Sequence, residues 1–125
     1  MEMQHVPVVL HYRGGMTESV QVDGRMTPTA ESLRVVDESG KPAEVLLASL
    51  KAIFFLRTIP PEGGERPAEG SLLSVEFQDG EVIRGTSSEY VPDRVGFFLY
   101  PLDRSKTDRV FVVNTAVASI EVETF

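Results

Sequence analysis

The stretch Val8-Val9-Leu10-His11-Tyr12-Arg13-Gly14-Gly15-Met16 decides the fold, because its pattern returns as Leu73-Ser74-Val75-Glu76-Phe77-Gln78-Asp79-Gly80-Glu81. Each copy is an alternating strand that ends at an aromatic residue and is followed by a glycine turn. Tyr12 and Phe77 lie 65 positions apart. Self-similarity at a fixed offset is typical of internal duplication, so we predict two copies of one β unit.

A second echo supports the duplication. The segment 48–53 recurs as 115–120, which places Ile53 and Ile120 67 positions apart, so only a short gap separates the two matches. The dipeptides Gly14-Gly15 and Asp79-Gly80 are typical of tight β-hairpin turns, because their residues tolerate the positive φ that such turns require. Both copies are therefore predicted to begin with a hairpin.

The chain divides near its middle. Residues 59–71 are rich in proline, glycine and glutamate, a composition typical of a linker or exposed loop. We therefore expect a first barrel over residues 1–58 and a second over residues 72–125. Units of about sixty residues are marginal when alone, which predicts a shared interface between them.

The remaining pattern predicts strands throughout. Residues 96–100 and 110–113 form near-continuous apolar runs, as expected for strands that are covered on both faces. Ser49-Leu50-Lys51 is predicted to form a single helical turn before the closing strand, and no longer helix is predicted. The expected fold class is all-β, with two small barrels in tandem and packed together.

Composition narrows the possible functions. The chain has 125 residues, 42% of them hydrophobic, and no cysteine, which excludes disulfides, thiolate metal sites and thiol nucleophiles. No run of about 18 apolar residues exists, and Met1–His5 lacks the features of a signal peptide. We expect a cytoplasmic protein without membrane contact.

The charge disfavours nucleic acid as a partner. The formal net charge is −7, with six basic and seven acidic residues in 1–60 against six and twelve in 61–125. Phosphate backbones are bound mainly by summed positive charge, and this field has the opposite sign. A local basic surface is the one feature that would overcome it.

The motifs resemble those of a known group of proteins. The segments that carry the resemblance are 50–55, 75–81, 96–99 and 109–114. Together they are similar to an uncharacterised bacterial family of tandem Sm-like or SH3-like small β-barrels, whose members accompany signalling domains such as PilZ and response-regulator modules. The resemblance implies a fold and a signalling setting. The RNA-binding residues of Sm loops have no match here, and Asp37-Glu38-Ser39-Gly40 is too short for the PilZ cyclic-di-GMP motif.

No catalytic or metal constellation emerges. His5 and His11 are the only histidines and lack the spacing of a metal site, so a surface role is expected. Asp79 and Glu81 flank a hairpin glycine, where aspartate serves the turn. Serine and threonine are frequent, but none sits in a nucleophile-elbow pattern. We expect neither an enzyme nor a cofactor.

The best ligand-binding candidates lie in two loops of the second half. Tyr90 offers an aromatic face, and cations follow it at Arg94, Arg104, Lys106 and Arg109. These side chains are suited to phosphate or carboxylate. The alternative is that three neighbouring aspartates neutralise them and leave an ordinary solvated surface, since exposed ion pairs contribute little. Those aspartates are Asp93, Asp103 and Asp108.

These patterns favour a non-catalytic binding or adaptor module that contacts protein, and the resemblance implies a setting in bacterial signalling or regulation. The alternatives are an Sm-like nucleic-acid or nucleotide binder and, third, an enzyme whose site is assembled from loops. Strand edges without charge or proline favour pairing with another chain. Val110–Val113, which has neither, and Ile120–Glu123, which carries two glutamates on one face, are the candidate edges for a homo-oligomer. The rival is a monomer that makes the same contact within one chain.

Overall fold

The computed structural model describes residues 5–23, 31–57, 70–87, 94–102 and 106–123. These residues form ten strands and two single 3-10 turns. The first half contains β1 His5–Tyr12, β2 Thr17–Asp23, β3 Ser32–Val36, β4 Pro42–Leu46, the turn Leu47–Ser49 and β5 Leu50–Leu56. The second contains β6 Ser71–Phe77, β7 Val82–Ser87, β8 Gly96–Pro101, β9 Thr107–Val113, the turn Asn114–Ala116 and β10 Val117–Glu123.

All ten strands belong to one antiparallel sheet, which confirms the all-β class. Their order is β10-β6-β7-β8-β9-β5-β1-β2-β3-β4. The pairing of β5 with β9 joins the halves, with Ile53 opposite Phe111 and Phe54 opposite Val110. The sheet is open, with β10 and β4 at its ends, so its pairing is not that of two separately closed barrels.

The pairing of the first half recurs in the second. Val8 lies opposite Phe55 in β1–β5, and Leu73 lies opposite Val122 in β6–β10. Both pairings contain a register shift, which leaves Lys51 and Ala118 without partners in the ladder. The hairpin turns also match, with Gly15 at φ 99° and Gly80 at φ 94°. An extra residue in one strand bends and twists it, so both closing strands bend at the same place.

Two hydrophobic clusters fill the molecule, and each draws residues from both halves. Phe111 and Val113 of β9 pack into the cluster of the first half. Ala52 of β5 packs into the cluster of the second half, with Phe54 against its margin. Successive side chains of a strand point to opposite faces, so the two central strands serve one cluster on each side. This explains why Val110–Val113 of β9 form a continuous apolar run.

Two details differ from the sequence predictions. The 3-10 turn of the first half spans Leu47–Ser49, because β5 already begins at Leu50. Val110–Val113 is an interior strand between β5 and β8, so it offers no edge for self-association.

Most of the predicted linker, residues 59–69, lies outside the described residues, and the domain boundaries remain a prediction. In the described part of the chain, no helix is long and apolar enough to cross a membrane.

Candidate functional site

The predicted basic site is only partly described. Tyr90 and Arg104 lie outside the described residues. Arg94 is exposed just before β8, and its carbonyl oxygen accepts a 2.8 Å hydrogen bond from Asn114 Nδ2. Lys106 is exposed just before β9. Because β8 and β9 are antiparallel, these two positions lie at opposite ends of the pair, about 20 Å apart for strands of this length. The structure does not bring Arg94 and Lys106 together.

Arg109 lies against the core. Its guanidinium carbon is 4.5 Å from the centroid of Phe55 and 4.8 Å from that of Phe98. A guanidinium over aromatic faces is stabilised by the ring quadrupoles and covers apolar surface with its stem. Arg109 therefore packs at the junction of the two halves, where its charge is directed onto aromatic rings.

The structure instead brings together the tips of the two hairpins. Arg13 Nη2 donates a 2.7 Å hydrogen bond to Gln78 Oε1, and Gln78 Nε2 donates to the carbonyl oxygen of Thr115 at 3.2 Å. The backbone N–H of Arg13 binds Ser49 O, and that of Gln78 binds Ala116 O. Each tip is thus fixed to the 3-10 turn of its own half, and the side chains tie one tip to the other.

Lys51 lies beneath these tips. Its side chain is only 9% exposed, and its ammonium forms ion pairs with Asp79, at 2.8 Å, and with Glu81. The same ammonium lies 4.8 Å from the centroid of the Phe77 ring. A buried charge is tolerated when it is paired, and here the second half supplies every one of these partners to a residue of the first. Lys51 therefore links β5 to the β6–β7 hairpin.

The ion pairs shift the titration of their members. Burial alone lowers the pKa of Lys51, but hydrogen bonds and attraction from Asp79 and Glu81 outweigh it and raise the pKa. The hydrogen bond from Lys51 lowers the pKa of Asp79, as does the backbone N–H of Glu81, which binds Asp79 Oδ1 at 3.0 Å. Lys51 and Asp79 are thus held in their charged forms, which suits an electrostatic tie and not a proton-transferring pair.

His11 borders the same cluster. Its ring centroid is 4.2 Å from that of Phe54, and burial lowers its pKa, with Glu81 opposing the shift and Lys51 adding to it. His5 is exposed, as expected for a surface residue, whereas His11 is only partly exposed. No group of three metal-binding side chains converges among the described residues.

A shallow groove of about 250 Å³ opens between the hairpin tips. We call it the hairpin-tip groove, and its lining residues are Arg13, Lys51, Phe77, Gln78, Asp79 and Ala116. Its two cations and Asp79, together with the adjacent Glu81, balance in formal charge. The cations are held by partners of the chain itself, so the groove connects the two halves and is not a strongly charged ligand site.

The open edge of β10 is the other candidate surface. β10 pairs only with β6, so its far side faces no other described strand. It is seven residues long and contains no proline. At the opposite end of the sheet, β4 has five residues and begins with Pro42, which has no backbone N–H to donate. β10 is the better template for an incoming strand.

Comparison with known proteins gives a family. Residues 4–124 match the model of a family of unknown function (DUF6982). The chain belongs to this family. No curated protein and no solved structure matches it.

One feature of this family member escaped sequence reasoning. Lys51 stands inside the apolar run 50–55, and a lysine in a buried strand is a signal for an acidic partner. The β10 edge, in contrast, was one of the two predicted edges, and it is the one that lies at an end of the described sheet. The alternation of apolar and polar residues alone did not show which strand pairs with β10.

Proposed function

We propose that this protein is a non-catalytic protein-binding or adaptor module. It consists of two small units of Sm-like or SH3-like strand order, opened and joined through β5 and β9. The recurrence of strand order, register and bulge in the two halves supports the duplicated arrangement. The bacterial signalling or regulatory setting rests on the resemblance of the sequence motifs alone.

The open edge of β10 is the observation that carries the proposal. A strand at the end of a sheet presents a row of backbone N–H and C=O groups, and an extended segment of a partner adds to it by main-chain hydrogen bonds. The next strand inward, β6, is firmly packed, since Leu73, Val75 and Phe77 are at most 2% exposed. A template fixed to a rigid core loses little conformational entropy when it binds.

Other observations favour binding over chemistry and over nucleic acid. The charged groups beside the hairpin-tip groove are engaged with one another, and Asp79 is held as the carboxylate. The guanidinium of Arg109 lies over the rings of Phe55 and Phe98. The formal net charge of −7 opposes phosphate backbones.

Proline substitution in β10 tests the role of the edge. In an antiparallel pair, successive residues direct their backbone groups alternately toward and away from the neighbouring strand. One of Glu121→Pro and Val122→Pro therefore removes an outward N–H and leaves the β6 ladder intact. The variant whose thermal melt matches wild type is the edge-blocked protein.

Affinity capture from the native cells then compares wild type, the edge-blocked protein and alanine at the same position. Alanine truncates the same side chain but keeps the N–H. We expect proteins captured by wild type and the alanine variant to be lost from the edge-blocked protein. An unchanged set of captured proteins would refute an adaptor role for this edge.

A further inference from the structure

We propose that the open edge of β10 receives an extended segment of another protein in which basic side chains alternate with apolar ones, and not a second copy of this chain. The inference rests on the proposed adaptor role and adds the chemistry of the partner. It is carried by the charges on one face of β10, the apolar side chains on the other and the composition of the opposite edge.

One face of β10 is acidic. Glu121 lies opposite Ser74, which lies opposite Arg84, so these three side chains share a face with Glu123 and Glu76. Arg84 binds Glu123 through Nε at 3.0 Å and Nη2 at 2.8 Å. Ser119 Oγ donates to Glu76 at 3.2 Å. Glu121 is exposed and makes no ion pair within the described residues, so it is the carboxylate available to a cation on an incoming strand.

The other face of β10 is apolar. Ile120 lies opposite Val75, and Val122 lies opposite Leu73, both of which are buried. Val122 itself is 54% exposed, because no described strand covers its outer side. A β-branched or aromatic residue on the incoming strand would cover it. The two faces together predict a segment with period two, basic toward Glu121 and apolar toward Val122.

A second copy that joined through its β4 would fit this edge poorly. The matching registers of the two halves make β10 equivalent to β5, so that Ile120 corresponds to Ile53. In the same way β4 is equivalent to β9, and Glu44 corresponds to Phe111. If two copies joined through β4 and β10 as the halves join, Ile120 would face Glu44, where the internal junction places Ile53 against Phe111.

The rest of that register adds to the mismatch. Pro42 would take the place of Arg109, and it has no N–H for the ladder. A carboxylate in an apolar contact is unfavourable without a partner, and charged or proline residues are common means of blocking a sheet edge. The β5–β9 pairing that joins the two halves is therefore not expected to recur between β4 and β10 of two copies.

Labelled peptides provide the test. We would measure binding of two fluorescent hexapeptides, alternating Lys-Val and alternating Glu-Val, to wild type, Glu121→Lys and Glu44→Lys by fluorescence anisotropy. The two variants change the net charge equally, on opposite edges. We expect wild type to favour the Lys-Val peptide by about threefold to tenfold, as a few cross-strand charge pairs provide. Glu121→Lys should remove or reverse that preference, and Glu44→Lys should leave it in place.

Equal binding of both peptides, or an equal effect of the two lysine variants, would overturn the proposed partner chemistry. Light scattering tests the exclusion of a second copy. Wild type should run as a monomer at all concentrations, and an oligomer that the edge-blocked protein loses would overturn that exclusion. If capture depends on the edge while the peptides show no preference, the adaptor role stands and the basic segment is wrong. If capture does not depend on the edge, the adaptor role itself fails.

Discussion

Arg13 and Gln78 occupy the same position in two equivalent hairpins, and they bind each other. The guanidinium of one donates to the amide oxygen of the other at 2.7 Å, across 65 positions of sequence. The contact closes one end of the junction that β5 and β9 form. Because both side chains are exposed, it aligns the hairpin tips more than it stabilises the fold.

A double-mutant cycle on this pair should therefore give a small coupling. We expect Arg13→Ala and Gln78→Ala to couple by less than about 1 kcal/mol in chemical denaturation, the range of exposed polar pairs. A coupling well above that range would show that the hairpin tips are a main source of stability.

Removing the charge of Lys51 should change the free energy of unfolding less than removing the charges of its two acidic partners. Lys51→Met keeps the packing on Phe77 and leaves two half-exposed carboxylates that water can solvate, so we expect little change in the free energy of unfolding. The double variant Asp79→Asn with Glu81→Gln leaves the buried Lys51 ammonium without a counter-charge, which costs about 1–3 kcal/mol. Asparagine keeps an acceptor for the turn. Denaturant melts that show the methionine variant as the less stable protein would contradict this view of the cluster.

The free energy of unfolding should decrease as the pH is lowered below 6.5, the ordinary pKa of histidine. The reason is that burial lowers the pKa of His11 in the folded chain. The unfolded chain binds the proton more readily, so the contribution of His11 is complete above pH 6.5 and is lost as the pH falls through the folded pKa. Asp79 acts in a separate window below its ordinary pKa of 3.8. His11→Phe keeps a ring on Phe54 and should flatten urea midpoints measured between pH 7 and pH 5. An unchanged slope would remove His11 as the source.

Gly96→Ala should be clearly destabilising. A Cβ at Gly96 would clash with the carbonyl oxygen of Val112 and come within 2.7 Å of the Phe111 ring. We expect a loss of about 1–3 kcal/mol, as for other overpacked sites. Gly14→Ala is the matched control, because its Cβ meets nothing within 4 Å and its φ is not positive. Comparable thermal melts for the two variants would argue against close packing of β8 on β9.

A protein of residues 70–125 alone should be largely unfolded or aggregated. Phe111 and Val113 are each 1% exposed in the whole chain, and both lie in the cluster of the first half. Removing that half exposes them and leaves β9 without its β5 partner. Circular dichroism and light scattering measure the result, and a cooperative melt near that of the whole protein would show that the second half is independent.

The sequence was sufficient for the hairpins and the β class. Gly14-Gly15 and Asp79-Gly80 determine local backbone geometry, so the turns and their strands follow from nearby residues. The apolar run in β9 correctly indicated a strand covered on both faces.

The sequence could not predict that β9 pairs with β5. An apolar strand at the edge of a unit and an apolar strand paired with the next unit have the same composition. The pairing of Ile53 with Phe111 depends on non-local contacts. The candidate site shows the same limit. Arg109 was predicted as a ligand-binding cation, yet a sequence does not show which aromatic rings, here Phe55 and Phe98, will lie beside it. Lys51 was overlooked because its acidic partners lie about thirty positions away.

The joining of β5 to β9 has a consequence for synthesis of the chain. β5 ends at Leu56, and its partner is complete only at Val113. Ribosomes add about 5–20 residues each second, so β5 waits roughly 3–11 seconds for β9 to be made. During that time the nascent first half displays an unpaired apolar strand next to an unfinished core. The most aggregation-prone edge of this protein is therefore that of β5 in the unfinished chain, and it is covered once β9 has been synthesised and pairs with it.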